Sequence, residues 1–82
     1  MIKVLLFARL REQLEVGSLS FDWADDATVD VLANQLVQQQ GDNWQVLLAD
    51  EIVVAINQQV VGRDALVSAG DEVAFFPPVT GG

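Results

Sequence analysis

Apolar side chains recur at every second position in several short segments of the chain, which is the period of a β-strand. Between residues 18 and 23, for example, Leu19, Phe21 and Trp23 alternate with polar side chains, so this segment predicts an edge strand with a polar outer face. Pro77 has no N–H group to donate and therefore ends the last strand. The predicted strands span residues 2–8, 18–23, 52–56, 60–61 and 72–76.

A period of three and four residues appears between Thr28 and Gly41 and predicts the main helix. Thr28 is suited to cap the first turn, and Gly41 is expected to end the helix in the left-handed conformation. A shorter helical turn, capped by Asp42, follows. The apolar face of the main helix consists of Val29, Leu32, Ala33, Leu36 and Val37.

Two segments show neither period and predict connections. Residues 9–15 are mostly charged and lead to a turn at Val16-Gly17, and residues 62–70 form a loop. The predicted order is therefore strand, strand, helix, short helix, strand, short strand, strand. One sheet covered on one face by one main helix is an α+β domain of two layers.

By analogy, the compact solution for this order and length is the ubiquitin-like β-grasp, with a mixed sheet of about five strands. The chain shows no repeat and no linker. We expect one domain over residues 1–76 and an extended C-terminal tail over residues 77–82.

The composition narrows the possible functions. Half of the 82 residues are apolar (51%), which is typical of a folded domain, and the net charge of −8 disfavours nucleic acid and acidic membrane surfaces. The chain has no cysteine, histidine or tyrosine, so thiol nucleophiles and imidazole bases are excluded and no metal site is expected. The start of the chain lacks a signal peptide and no segment is long enough to span a bilayer, which predicts a soluble, cytoplasmic protein.

The C-terminal tail has the composition of a narrow, extended arm. Two prolines favour a stiff polyproline II conformation, and the two final glycines lack Cβ atoms, so the terminal carboxylate can enter a tight channel. Six residues reach roughly 20 Å beyond the last strand. We expect this tail to be flexible and functional. Its residues are Pro77, Pro78, Val79, Thr80, Gly81 and Gly82.

Three groups of residues resemble one known family. They are the run from Gly70 to Gly82, the opening Ile2-Lys3-Val4-Leu5 with Arg11-Glu12, and the central Ala55-Ile56-Asn57-Gln58. The chain is similar here to the small, sulfur-carrying subunits of molybdopterin synthase. The resemblance extends over the whole chain in length and order of elements, and residues 13–51 match in pattern only.

The resemblance implies a chemistry carried by the main chain. A separate ubiquitin-activating-like adenylyltransferase would use ATP to form a transient acyl-adenylate at Gly82. A sulfur donor enzyme would then supply the sulfur of a thiocarboxylate. The tail would enter the large subunit and give sulfur to cyclic pyranopterin monophosphate, with Gly81 providing access. The small subunit would itself be a non-catalytic sulfur donor with no permanently bound cofactor.

An apolar docking surface for the large subunit is predicted at the root of the tail. Phe7, Val60 and Phe76 are its candidates, although each phenylalanine could equally belong to the core. Arg11 is a candidate polar anchor or a solvated surface residue. Tail residues that would contact the partner are Pro77, Pro78, Val79 and Thr80. Two other functions stay open, a sulfur carrier of the thiamine type and a ubiquitin-like protein modifier.

Overall fold

The computed structural model describes residues 1–23 and 26–78, and a five-stranded mixed sheet forms one layer of it. The sheet has the strand order β2-β1-β7-β4-β5. The strands are β1 (Ile2–Leu6), β2 (Ser18–Phe21), β3 (Ala27–Thr28), β4 (Val53–Ile56), β5 (Gln59–Val61), β6 (Leu66–Val67) and β7 (Glu72–Phe76). The helices are α1 (Ala8–Leu14), α2 (Val29–Gln40) and a 3₁₀ helix (Asp42–Leu48).

The first and last strands lie side by side in the middle of the sheet. They run parallel, with Val4 opposite Val73, whereas β2 is antiparallel to β1, and β4 is antiparallel to both β7 and β5. Because β1 and β7 are parallel, both end at the same edge of the sheet. This mixed sheet with helices on it confirms the predicted α+β, ubiquitin-like β-grasp class.

The predicted main helix is present as α2. The Thr28 side chain accepts a hydrogen bond from the N–H of Val31 at 3.3 Å, so Thr28 caps the first turn as predicted. Four of the five predicted apolar residues are buried, and Val37 is half-buried against the core. The core between the helices and the sheet includes Ile2, Val4, Leu6, Val29, Leu32, Leu36, Val73 and Phe75.

Two elements lie where the sequence predicted connections. Residues 8–14 form α1, which buries Leu10 and Leu14 in the core, and the first strand accordingly ends at Leu6 instead of residue 8. Two leucines among three charged residues give too weak a pattern for a helix. The predicted 62–70 loop contains β6, which pairs with β3 in a separate two-stranded sheet.

The predicted end of α2 differs in detail. Gly41 adopts φ of 124° and ψ of 170°, which is open to glycine but is not the left-handed helical conformation we expected. Its N–H donates to the carbonyl of Val37 at 3.0 Å. Asp42 does not cap the 3₁₀ helix, because Gly41 occupies the cap position and no side chain bonds there.

Side chains on the helical side of the sheet fasten these elements together. The indole Nε1 of Trp23 donates to the buried carbonyl of Val67 at 2.8 Å and so joins the region after β2 to β6. Arg63 Nη2 donates to the carbonyls of Leu47 and Ala49 at the end of the 3₁₀ helix.

Among the described residues, no helix has the length and apolar character needed to cross a bilayer.

Candidate functional site

The sheet face opposite the helices carries a continuous apolar surface. Along β1, β4 and β7, alternate residues point to the core, and the intervening residues point to this outer face. The strand register aligns one such residue from each of four strands in a row. In order across the sheet, the row is Leu5, Ala74, Ala55 and Val60.

A hollow of about 360 Å³ lies over this row. Ala55 and Ala74 form its centre. Their side chains end at Cβ and are shorter than those of the residues at the margins, so the surface is concave there. Val60 at one margin is 70% exposed, which is unusual for an aliphatic side chain in a strand. The remaining residues that line the hollow are Leu5, Phe7, Gln58, Glu72 and Phe76.

Phe7 and Phe76 form a stacked pair at the edge of this hollow. Their ring centroids are 4.7 Å apart and their planes differ by 4°. Phe7 is 40% exposed and Phe76 is half-buried. The alternative that Phe7 belongs to the core is therefore wrong, and the structure brings Phe7, Val60 and Phe76 onto one face.

A second hollow of about 410 Å³ continues the surface toward the end of the described chain. It shares Val60 and Phe76 with the first hollow. Pro77 and Pro78 line it, so the root of the tail belongs to the same apolar surface. The other predicted tail residues, Val79, Thr80, Gly81 and Gly82, lie outside the described residues.

A sharp corner between β1 and α1 places Phe7 in this surface. Phe7 remains extended and donates its N–H to the carbonyl of Phe75 at 3.2 Å. Ala8 then has φ of 53°, a left-handed conformation that costs an L-residue about 1–2 kcal/mol. Because of this corner, α1 turns to the core side while the Phe7 ring stays on the outer face. Ala8 also lines the second hollow.

Polar groups bound the surface at the end of the strands away from Phe76. Lys3 and Glu72 are opposite each other on β1 and β7. Asn57, in the β4–β5 turn, accepts the N–H of Glu72 at its Oδ1 at 3.0 Å and donates its own N–H to the Glu72 carbonyl at 2.8 Å. The turn and β7 are thereby fixed together, and the apolar region has a defined limit.

Arg11 lines neither hollow. Its side chain lies over Gly17, where an added Cβ atom would come within 3.0 Å of the Arg11 Nε. The role of Arg11 as a partner anchor therefore stays a prediction.

Across residues 1–23 and 26–78, acidic side chains form no cluster of three suited to a metal ion.

Sequence reasoning missed the residues that make the surface concave. Ala55, Ala74 and Val53 line the two hollows beside the predicted Val60 and Phe76. The available signal was the presence of small residues at outward positions of strands that are otherwise β-branched or aromatic. An alanine in such a strand indicates a place where the surface is left open.

Comparison with known proteins extends over the full chain. Residues 4–82 match the model of the ThiS family. The chain is 46% identical to the molybdopterin synthase sulfur carrier subunit of Escherichia coli strain K12 over 83 aligned residues, which cover 100% of both chains. It is 42% identical to the protein of the same name from Haemophilus influenzae, again with 100% of both chains covered.

Solved structures with the same fold include SAMP1, small archaeal modifier protein 1, from Haloferax volcanii. That protein superimposes with a TM-score of 0.82 and 31% identity, over 99% of this chain and 98% of its own. The fold therefore occurs in a protein named as a modifier as well as in proteins named as sulfur carriers.

Proposed function

The chain belongs to the ThiS family, and from that premise we propose that it is the sulfur carrier subunit of molybdopterin synthase. The observation that carries the proposal is full-length similarity to two proteins of that name, at 46% and 42% identity. The chain also ends in Gly81-Gly82 and contains no cysteine, so sulfur would have to be carried on the main chain.

The proposed chemistry takes place at the carboxylate of Gly82. A carboxylate is a poor acceptor because its leaving group would be an oxide. Reaction with ATP in a separate adenylyltransferase forms an acyl-adenylate and releases pyrophosphate. Hydrosulfide supplied by the donor enzyme then attacks the acyl carbon, AMP leaves, and loss of the thioacid proton gives the anion. The resulting thiocarboxylate is the form of the chain that carries sulfur.

The second part of the proposal is the delivery of that sulfur. The thiocarboxylate enters the active site of the large subunit, where its sulfur displaces an oxygen substituent on a carbon of cyclic pyranopterin monophosphate. Water then cleaves the acyl–sulfur bond, which leaves the sulfur on the pterin and returns the chain to the carboxylate form. Gly81 keeps the arm narrow at the point of entry. Two such transfers would complete the dithiolene of molybdopterin.

The apolar surface at the root of the tail is the proposed docking site for the large subunit. Its partly exposed aromatic pair and its two hollows have the features of an interface centre, since aromatic anchors that become buried on binding dominate binding energies. Val60 and Phe76 belong to both hollows, so one partner surface covering them would hold the tail root at the same time.

Intact-mass measurement tests this function. We expect incubation with ATP, the adenylyltransferase and a sulfur donor to add the mass difference between sulfur and oxygen at the C-terminus. Addition of the large subunit and cyclic pyranopterin monophosphate should then return the chain to its original mass with formation of molybdopterin. A chain that gains the sulfur but never loses it to this substrate would contradict the proposed delivery.

A second candidate is a protein modifier, which the likeness to SAMP1 favours. In that case the activated carboxylate of Gly82 would be attacked by a lysine of a target protein and would form a stable amide. The two functions differ in their product. A lasting conjugate of higher mass supports the modifier, whereas a reversible exchange of oxygen for sulfur supports the carrier.

A further inference from the structure

The stacked pair of Phe7 and Phe76 is located where the tail leaves the sheet. Phe76 is the last residue of β7, and Pro77 and Pro78 follow it directly. Phe7 follows the last residue of the neighbouring parallel strand β1. The ring of Phe7 therefore contacts the last side chain that anchors β7 before the arm begins.

The backbone around Phe7 is arranged to hold this contact. The Phe7 N–H extends the pairing of β1 with β7 by one hydrogen bond, to Phe75, and its carbonyl accepts the N–H of Leu10 in α1 at 3.1 Å. The left-handed conformation of Ala8 is unfavourable for alanine and is thus maintained by its surroundings. A strained corner maintained beside a functional segment indicates that the position of the ring matters.

The prolines extend the effect of the stack along the chain. Proline fixes φ near −65° and restricts the residue before it, so Phe76-Pro77-Pro78 has few conformations available. Pro77 and Pro78 lie in the same hollow as Ala8 and Val53. A contact that holds Phe76 therefore acts on a stretch of backbone with few alternative conformations up to Pro78.

We propose that Phe7 is a positioning residue for sulfur transfer: its stack on Phe76 sets the direction in which the C-terminal arm leaves the sheet. The inference rests on the proposed function, because that function supplies the reaction that Phe7 would affect. The role of the stack itself rests on the contacts of the described residues. The proposed role gives Phe7 no contact with sulfur or substrate. It acts through Phe76 and the two prolines, so its loss should affect the reaction within the complex more than the formation of the complex.

A comparison of three variants separates positioning from docking. Phe7→Leu keeps an apolar side chain but removes the flat ring, Phe7→Tyr keeps the ring, and Val60→Ala removes exposed apolar area outside the stack. Each chain is first converted to the thiocarboxylate. Affinity for the large subunit is measured by titration, and the single-turnover rate of sulfur transfer is measured with the large subunit in saturating excess.

We expect Phe7→Leu to slow transfer in the saturated complex by about tenfold or more, because misplacement of a reacting group affects rate strongly. Phe7 also lies in the docking surface, and the saturating excess of the large subunit removes the effect of any loss of affinity. Phe7→Tyr should retain the native rate. Val60→Ala should weaken affinity more than it slows transfer in the saturated complex. A native saturated rate for Phe7→Leu, or an equal loss for Phe7→Tyr, would overturn the proposal.

A measurement that does not depend on sulfur tests the same point. Since the chain has no cysteine, single cysteines at Gln38 on α2 and at Val79 can carry two spin labels. We expect the distribution of distances between them to be broader in Phe7→Leu than in the parent and in Phe7→Tyr. Equal widths in all three would overturn the positioning role. Failure of the parent to transfer sulfur would instead overturn the proposed function.

Discussion

Ala55 of β4 and Ala74 of β7 are opposite each other across two antiparallel strands, and both point into the apolar hollow of about 360 Å³. Their small side chains leave this part of the outer face open. The outer row is otherwise apolar, with Leu5 and Val60 at its ends. The concave shape of the proposed docking surface therefore depends on two alanines.

Filling the hollow should block docking without unfolding the domain. In Ala74→Val the added methyl groups enter the open hollow instead of the core, and a β-branched residue is well suited to a strand. We expect weaker binding to the large subunit and a free energy of unfolding within about 0.5 kcal/mol of the parent. Titration and urea unfolding measure the two effects. Ala69→Val, exposed and outside the hollow, is the control; equal affinity of both variants would contradict the docking site.

Removal of the Phe76 ring should weaken the complex. Phe76 lines both hollows and stacks on Phe7, so Phe76→Ala removes the aromatic centre of the surface. We expect a loss of about 2 kcal/mol in binding, or roughly thirtyfold in affinity. Leu66→Ala removes another exposed apolar side chain, at a different place in the fold, and should not alter binding. An affinity of Phe76→Ala that equals the parent within error would show that the surface is wrongly placed.

Salt should slow the association of the two subunits. The net charge of −8 predicts that the partner presents a basic surface, and screening reduces such steering. We expect the association rate constant to fall by about tenfold or more between low and high ionic strength, with a smaller change in dissociation. Stopped-flow mixing over a salt series measures both. An association rate that is independent of salt would contradict the predicted charge complementarity.

Trp23→Phe should destabilise the fold and spare docking. The substitution removes the indole N–H that bonds the buried carbonyl of Val67 at 2.8 Å. An unsatisfied buried acceptor costs about 1–3 kcal/mol, so the midpoint of urea unfolding should fall accordingly. Trp23 is 4% exposed and belongs to the core on the helical side of the sheet, so affinity for the large subunit should not change. An unchanged unfolding midpoint would rule out this contribution.

The sequence predicts best those elements whose signal is local. Thr28 is an N-cap by its own chemistry, and the residues after it repeat with the period of a helix, so α2 was correctly predicted. The helix α1 was missed, because only Leu10 and Leu14 among its seven residues are buried and its start depends on a left-handed Ala8. No residue pattern distinguishes that conformation from an ordinary strand end.

Contacts between residues that are distant in the sequence limit how much of the functional surface could be predicted. Phe7, Val60 and Phe76 could be named as candidates for the surface from the alternation of side chains, but that pattern did not separate an exposed phenylalanine from one in the core. Their proximity depends on the pairing of β1 with β7 and of β4 with β5, which the sequence alone does not encode visibly. The hollow was missed for the same reason: it requires Ala55 and Ala74 to be neighbours, and they are 19 positions apart (74 − 55).

The central claim is that the terminal carboxylate carries the sulfur, and deletion of Gly82 tests it most directly. The shortened chain is combined with ATP, the adenylyltransferase, a sulfur donor, the large subunit and cyclic pyranopterin monophosphate, and molybdopterin is measured. We predict that no molybdopterin forms, while the unfolding midpoint and the affinity for the large subunit stay close to those of the parent. Because the chain has no cysteine to take over the sulfur, full molybdopterin formation without Gly82 would contradict the claim.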